Sequence, residues 1–157
     1  LASVLVCFPE IAAVSYDPCE GMLTMAFFVC AQLSPAEVEA FTAFLGESIE
    51  SFHAIEGSVV TAMDFSYEQH DGLMMLHLAR RMDEVTEREI GLTVQLLTDR
   101  FGDALLVDVH GADLPDAEFR QMQHETLDRM LTAVREMPLR DRLVGIRERD
   151  QVVVYNR

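Results

Sequence analysis

Strand-like and helix-like patterns alternate between residues 22 and 109, and their order restricts the fold more than any other feature of the chain. Apolar, β-rich runs cover 22–33, 58–67, 73–81 and 104–109, and helical patterns fill the first and last gaps between them. The order β-α-β-β-α-β is that of the split β-α-β core. We therefore predict an α+β fold with a ferredoxin-like core over residues 22–109.

Both helices of this core carry start or stop signals. Ser34-Pro35-Ala36-Glu37 combines a capping box with a proline in the first turn. The apolar residues that follow are spaced for one helix face: Val38, Phe41, Leu45, Ile49 and Phe52. The second helix is predicted from about Asp83 to Phe101, with Thr86 as an alternative cap and Gly102 as the stop.

Further elements are predicted on both sides of the core. Short apolar runs at 2–8 and 11–17 precede a turn cluster, which indicates an N-terminal strand and hairpin with 22–33. After the core, 113–137 predicts a third helix ended by Pro138, and 143–155 predicts a C-terminal hairpin. No low-complexity linker divides the chain, so we expect one domain over residues 1–157.

The central strands are apolar at both sets of alternating positions. In the first of them, Leu23, Met25 and Phe27 alternate with Met22, Ala26 and Phe28. A sheet with one face in water would alternate apolar with polar residues. We therefore expect the second face of the sheet to be covered, either by the third helix or by another copy of the chain, and we predict a homodimer.

Charge is distributed unevenly along the chain. The formal net charge is −15, and residues 1–79 contain eleven acidic side chains but no Lys or Arg, so that Arg80 is the first basic residue. Such a surface repels nucleic acids and anionic membranes and would attract a basic protein partner. The alternative is that the acidic residues keep the protein soluble and form ion pairs between the two halves of the chain.

Cysteine content and the chain start bear on the compartment. The three cysteines are an odd number without metal-binding spacing, which predicts free thiols and a cytoplasmic location. No apolar run is long enough for a membrane span, and Leu1–Phe8 lacks the features of a signal peptide. The start at Leu rather than Met indicates a trimmed chain or an excised domain.

One polar cluster could carry chemistry. Asp108 and His110 would lie on the same face at the end of the predicted fourth strand, with Asp113 at the start of the third helix. Together with His77, they could bind a divalent cation, or Asp108 and His110 could form a general base. Asp113 is equally a natural helix cap. No other cofactor is predicted, because phosphate-loop, zinc and hydrolase motifs are absent from the sequence.

The remaining histidines show no such pattern. His77 is predicted to be half-buried with a hydrogen-bond partner, whereas His53 and His70 resemble surface residues.

Two functions therefore remain. The first is a non-enzymatic regulatory, ligand-sensing or protein-binding domain, and the second is a small metal-dependent or acid-base enzyme. Element order and charge are also similar to those of acidic dimeric chaperone-like adaptors, a likeness that identifies no family.

Overall fold

The computed structural model describes residues 1–107, 143–148 and 151–156 and has an α+β fold. Its elements are α1 (Ala2–Cys7), β1 (Ala13–Asp17), β2 (Met22–Val29), α2 (Pro35–Glu56), β3 (Met63–His70), β4 (Leu73–Arg81), α3 (Glu87–Phe101), a 3-10 turn (Gly102–Ala104), β5 (Leu143–Glu148) and β6 (Gln151–Asn156). The strands form one six-stranded antiparallel sheet in the order β3-β4-β2-β1-β5-β6.

β2, β3 and β4 lie together at one end of the sheet. β2 is followed by α2 and then by β3, and β4 lies between these two strands and pairs with both. If β2 and β3 paired directly with each other, β4 could not lie between them. Three of the four strands predicted for the core therefore have the order expected of a split β-α-β unit.

The predicted fourth strand, 104–109, differs within the described residues. Only Leu105 forms a bridge, antiparallel to Val29, and Ala104 belongs to the 3-10 turn. β1 occupies the rest of this edge of β2, because only residues 18–21 separate the two strands and they pair as a hairpin. Residues 108 and 109 lie outside the described residues, so the complete ferredoxin-like core stays a prediction.

The N-terminal run at 2–8 was predicted as part of a strand and hairpin, and this prediction is wrong for residues 2–7. They form α1, in which Val4 and Leu5 are buried, and Phe8, the residue that follows the helix, is buried too. The spacing of these residues matches one helix face rather than strand alternation. Pro9 follows directly and prevents the helix from continuing. The predicted N-terminal hairpin itself is confirmed, as β1 paired with β2.

The turn between β3 and β4 is shorter than the predicted five residues. β3 continues to His70, and Asp71 and Gly72 alone make the turn. Both have positive φ angles, 49° and 79°, as a two-residue hairpin turn requires. An Asp-Gly pair adopts this conformation more easily than most dipeptides.

The predicted helix signals are confirmed. Ser34 accepts a hydrogen bond from the Glu37 backbone N–H, and the Glu37 carboxylate accepts one from the Ser34 N–H. α3 begins after Thr86 rather than at Asp83, because the Thr86 hydroxyl caps the Glu89 N–H. It ends at Gly102, as predicted.

All three described helices pack on the same face of the sheet. This core face carries Met25, Phe27 and Leu78, each at most 1% exposed, with the apolar sides of α1, α2 and α3 against them. The predicted C-terminal hairpin is confirmed as β5 and β6. The predicted third helix, 113–137, lies outside the described residues. No helix in the described part of the chain is long and apolar enough to cross a membrane.

Candidate functional site

The predicted polar cluster cannot be assembled from the described part of the chain. Asp108, His110 and Asp113 all lie outside the described residues, and the metal and general-base hypotheses stay predictions for them. Of the four candidate ligands, only His77 is placed. Within the described ranges, no group of three His, Cys, Asp or Glu side chains could hold a metal ion.

His77 lies in the middle of β4, on the face of the sheet opposite the three helices. It is half-buried, as predicted, and stands directly opposite Ala26 on β2 and Ser66 on β3. No hydrogen bond to its ring is found from any side chain in the described ranges, so the predicted partner is not seen there. His77 is therefore placed on the second face as a polar group within a mostly apolar surface.

The second face of the sheet is mostly apolar over its central strands, with Ser15, Thr24 and His77 as polar members. The strand register aligns side chains of neighbouring strands in rows across this face. The half-buried side chains in these rows are Ala13, Met22, Phe28, Met75, His77, Val144, Ile146 and Val153. Ala26, at the centre, is only 6% exposed. An apolar surface of this kind is typical of a contact with another protein surface rather than with water.

Carboxylates border the second face at β3. Asp64 and Glu68 point to this face, opposite Ala79 and Met75, and both are exposed. At the end of β4, Arg81 contributes a guanidinium, but it donates to both carboxylate oxygens of Asp83, at 2.9 and 2.8 Å. The β3 side of the second face therefore carries net negative charge.

The core face contains a buried ion pair that the sequence patterns did not predict. Arg80, on β4, and Glu89, in the first turn of α3, are both 0% exposed. Arg80 Nε donates to Glu89 Oε1 at 2.6 Å, and Arg80 Nη2 donates to Oε2 at 3.2 Å. Arg80 also donates to the backbone carbonyl of Ala62. Burying a guanidinium is costly, and these charged and polar contacts offset that cost.

His53 joins the same cluster from the last turn of α2. Its side chain is 2% exposed, so the prediction of a surface histidine is wrong, whereas His70 is exposed as predicted. His53 Nε2 lies 2.5 Å from Glu89 Oε2, and Nδ1 lies 2.7 Å from Ser58 Oγ. An ionised carboxylate only accepts hydrogen bonds, so in this hydrogen bond the Nε2–H group is the donor and Glu89 is the acceptor.

Glu84 lies at the border of the cluster, between Arg80 and the loop that precedes β3. It accepts hydrogen bonds from the Thr61 N–H, at 3.1 Å, and from Arg80 Nη1, at 3.3 Å, and it also contacts the Thr61 hydroxyl. Burial alone would raise the pKa of Glu84. The hydrogen bonds from Thr61 and the Arg80 charge outweigh that effect and hold the pKa below its ordinary value.

The cluster ties three elements together and has the properties of a structural centre. Arg80, Glu89 and His53 come from β4, α3 and α2, and their charged atoms are satisfied by one another. A chain from Ser58 through His53 to Glu89 has the connectivity of a nucleophile, base and acid. The same Glu89 carboxylate also holds the Arg80 guanidinium, so it joins α2 and β4 to α3.

A weak signal for the cluster was present in the sequence. Met74, Leu76 and Leu78 alternate with Leu73, Met75 and His77, and the same alternation places Arg80 with Met74, Leu76 and Leu78 on one side of β4. An arginine at an inward position needs a carboxylate, and the first carboxylates after it are Asp83, Glu84, Glu87 and Glu89. Nothing in the spacing indicated His53, which lies 36 residues before Glu89.

Comparisons with known proteins add no relative. No protein-family model matches the chain, and neither the curated proteins nor the solved structures contain a significant match. The described geometry is therefore the basis for the function proposed below.

Proposed function

We propose that this chain is a non-enzymatic protein-binding domain that acts as a homo-oligomer and binds through the second face of its sheet. One observation carries the proposal: all three described helices lie on the core face, while the second face carries half-buried apolar side chains. Phe28 and Met75 are directly opposite each other there, and Ile146 lies two strands further along the sheet. An apolar surface that no described helix covers is typical of an interaction site.

The chemistry of the bordering residues favours a basic partner. The second face is apolar at its centre and carries exposed carboxylates at Asp64 and Glu68. The chain as a whole has a net charge of −15, which increases the association rate of positively charged partners and repels anionic ones. An amphipathic segment with alternating apolar and basic residues fits both features.

Binding of a designed peptide tests this proposal. The probe is a fluorescent peptide of alternating leucine and arginine, and its anisotropy is followed during titration with the wild type and with Phe28→Asp. We expect at least about tenfold weaker binding to Phe28→Asp, because a carboxylate replaces apolar contact at the centre of the face. Glu50→Gln, on the exposed side of α2, is the control.

Two results would contradict the proposal. Equal affinity of the peptide for the wild type and Phe28→Asp would place binding elsewhere, and loss of the same affinity in Glu50→Gln would show attraction to net charge alone.

The metal-enzyme hypothesis for Asp108, His110 and Asp113 has its own test. Native mass spectrometry before and after chelation would reveal a bound metal, and His110→Ala would then abolish it.

A further inference from the structure

The two edges of the sheet differ in the way they are protected against pairing. β3 forms one edge and carries the charged or titratable side chains of Asp64, Glu68 and His70. Among the described residues, β6 forms the other edge and reads Gln-Val-Val-Val-Tyr-Asn, without a charged residue. Edge strands normally carry charges, prolines or bulges that prevent pairing with another chain. β6 has no such side chain.

Two side chains of β6 are exposed, one on each face of the sheet. Val154 lies on the core-face side, opposite Gly145, and is 40% exposed. Tyr155 lies on the second face, opposite Val144, and is 45% exposed. The strand therefore presents apolar contact area above and below the row of backbone groups at its outer edge.

Charge selects β6 over β3 as an edge at which two copies could meet. The chain carries a net charge of −15, and pairing through β3 would bring Asp64, Glu68 and Asp71 of both copies together. Residues 143–156 contain two arginines and two acids, so their formal charges cancel. Two copies that meet at β6 therefore avoid most of the repulsion between their acidic parts.

We propose that β6 pairs antiparallel with β6 of a second copy about a two-fold axis, joining two six-stranded sheets into one of twelve strands. A strand that pairs with its own copy is self-complementary, as a two-fold interface requires. The two-fold axis of an antiparallel strand pair is perpendicular to the sheet, so the second faces of both copies lie on the same side. Ile146 and Val153 extend the apolar surface of this face toward the axis. The inference rests on the proposed homo-oligomer and adds the surface that forms it.

The pairing makes a specific prediction for Val154. In an antiparallel pair, directly opposite residues point to the same face, so Val154 meets an even-numbered residue of the second copy. If the partner is Val154 or Val152, the two Val154 side chains are direct or diagonal neighbours. A charge at this position would therefore be placed close to the same charge in the second copy.

Charge substitution at Val154, with the mass measured by light scattering, tests the pairing. At micromolar concentration we expect the wild type to have twice the mass of the 17.7 kDa chain. Val154→Glu and Val154→Arg should each have the mass of one chain, and an equimolar mixture of them should recover the mass of two. Tyr67→Glu is the matched control, because Tyr67 is 38% exposed on the other edge strand and should leave the dimer intact.

The outcomes separate this inference from the proposed function. A monomeric wild type overturns both the homo-oligomer and the β6 pairing. A wild-type dimer that persists in Val154→Glu overturns the pairing alone and leaves the homo-oligomer in place. A dimer that Tyr67→Glu dissociates, while Val154→Glu does not, assigns the interface to β3 instead.

Hydrogen exchange of the wild type gives a readout that does not depend on a folded variant. We expect the amides of β6 to exchange more slowly at concentrations where the dimer forms than after dilution to monomer. Those of β3, which is the other edge, should not change with dilution. If the mass changes on dilution while β6 exchange stays constant, the pairing is overturned.

Discussion

Arg80 and Glu89 form a buried, two-point ion pair between β4 and α3, with N–O distances of 2.6 and 3.2 Å. His53 adds a third contact from α2, so that one carboxylate joins the two long helices to the sheet. The pair is a structural centre on the core face, while the proposed binding surface lies on the opposite face. Stability and binding can therefore be changed separately by substitution.

Removal of the Glu89 charge should strongly destabilise the protein. Glu89→Gln keeps the shape of the side chain but leaves the buried Arg80 guanidinium with the longer contact to Glu84 as its remaining ion pair. We expect the free energy of unfolding to fall by about 3–5 kcal/mol, measured by urea denaturation at pH 7. Glu50→Gln, on the exposed side of α2, should change it by no more than about 0.5 kcal/mol. A loss below about 1 kcal/mol in Glu89→Gln would show that the pair contributes little.

Glu84 should make stability depend on pH in the acid range. Hydrogen bonds from Thr61 and Arg80 lower the pKa of Glu84 in the folded protein, despite partial burial. Its contribution is therefore complete above the unfolded-state pKa of about 4.3 and is lost as the pH falls through the lower folded-state pKa. Urea denaturation should show a larger difference between the wild type and Glu84→Gln at pH 7 than at pH 3. A difference that is constant across this range would contradict the assignment.

The three cysteines should differ in reactivity. Cys19 and Cys30 are exposed, whereas burial, with a smaller effect of Glu87, raises the pKa of Cys7 to about 11. Since the thiolate is the reactive form, only about 0.1% of Cys7 is reactive at pH 8. A colorimetric thiol reagent should label two thiols rapidly in the native protein and the third only after unfolding. Rapid labelling of all three in the native state would contradict this packing of α1.

Gly46→Ala should stabilise α2. Gly46 is buried in the middle of the helix, where alanine is favoured over glycine by about 0.8–1 kcal/mol. A Cβ at this position would meet Met63 Cε at 3.3 Å, the flexible end of a half-buried side chain that can move slightly. We expect a net gain of about 0.5 kcal/mol in unfolding free energy. A destabilised variant would show that Met63 cannot move away from the added methyl group.

Local sequence signals predicted the individual elements better than their positions in the sheet. The capping box at Ser34, the Gly102 stop and the two hairpins depend on neighbouring residues, and each is found in the structure. α1 was not predicted because six residues are too few to separate helical from strand periodicity. That β1 rather than the predicted strand at 104–109 occupies most of this edge of β2 depends on competition between two segments, which no local pattern describes.

The candidate sites were harder to predict for a related reason. His53 and Glu89 are 36 positions apart, and only the packing of α2 against α3 brings them together. The second face was correctly expected to be apolar, because alternation along a single strand is enough to show it. What covers that face depends on parts of the chain or on partners that alternation cannot identify. The homodimer and its basic partner therefore stay proposals.

The mass of the wild-type protein in solution tests the central claim most directly. Size-exclusion chromatography with light scattering should give twice the mass of one 17.7 kDa chain at micromolar concentration. That result would support an oligomeric binding domain and justify the Val154 variants as the next step. A mass of one chain across the micromolar range would contradict the account.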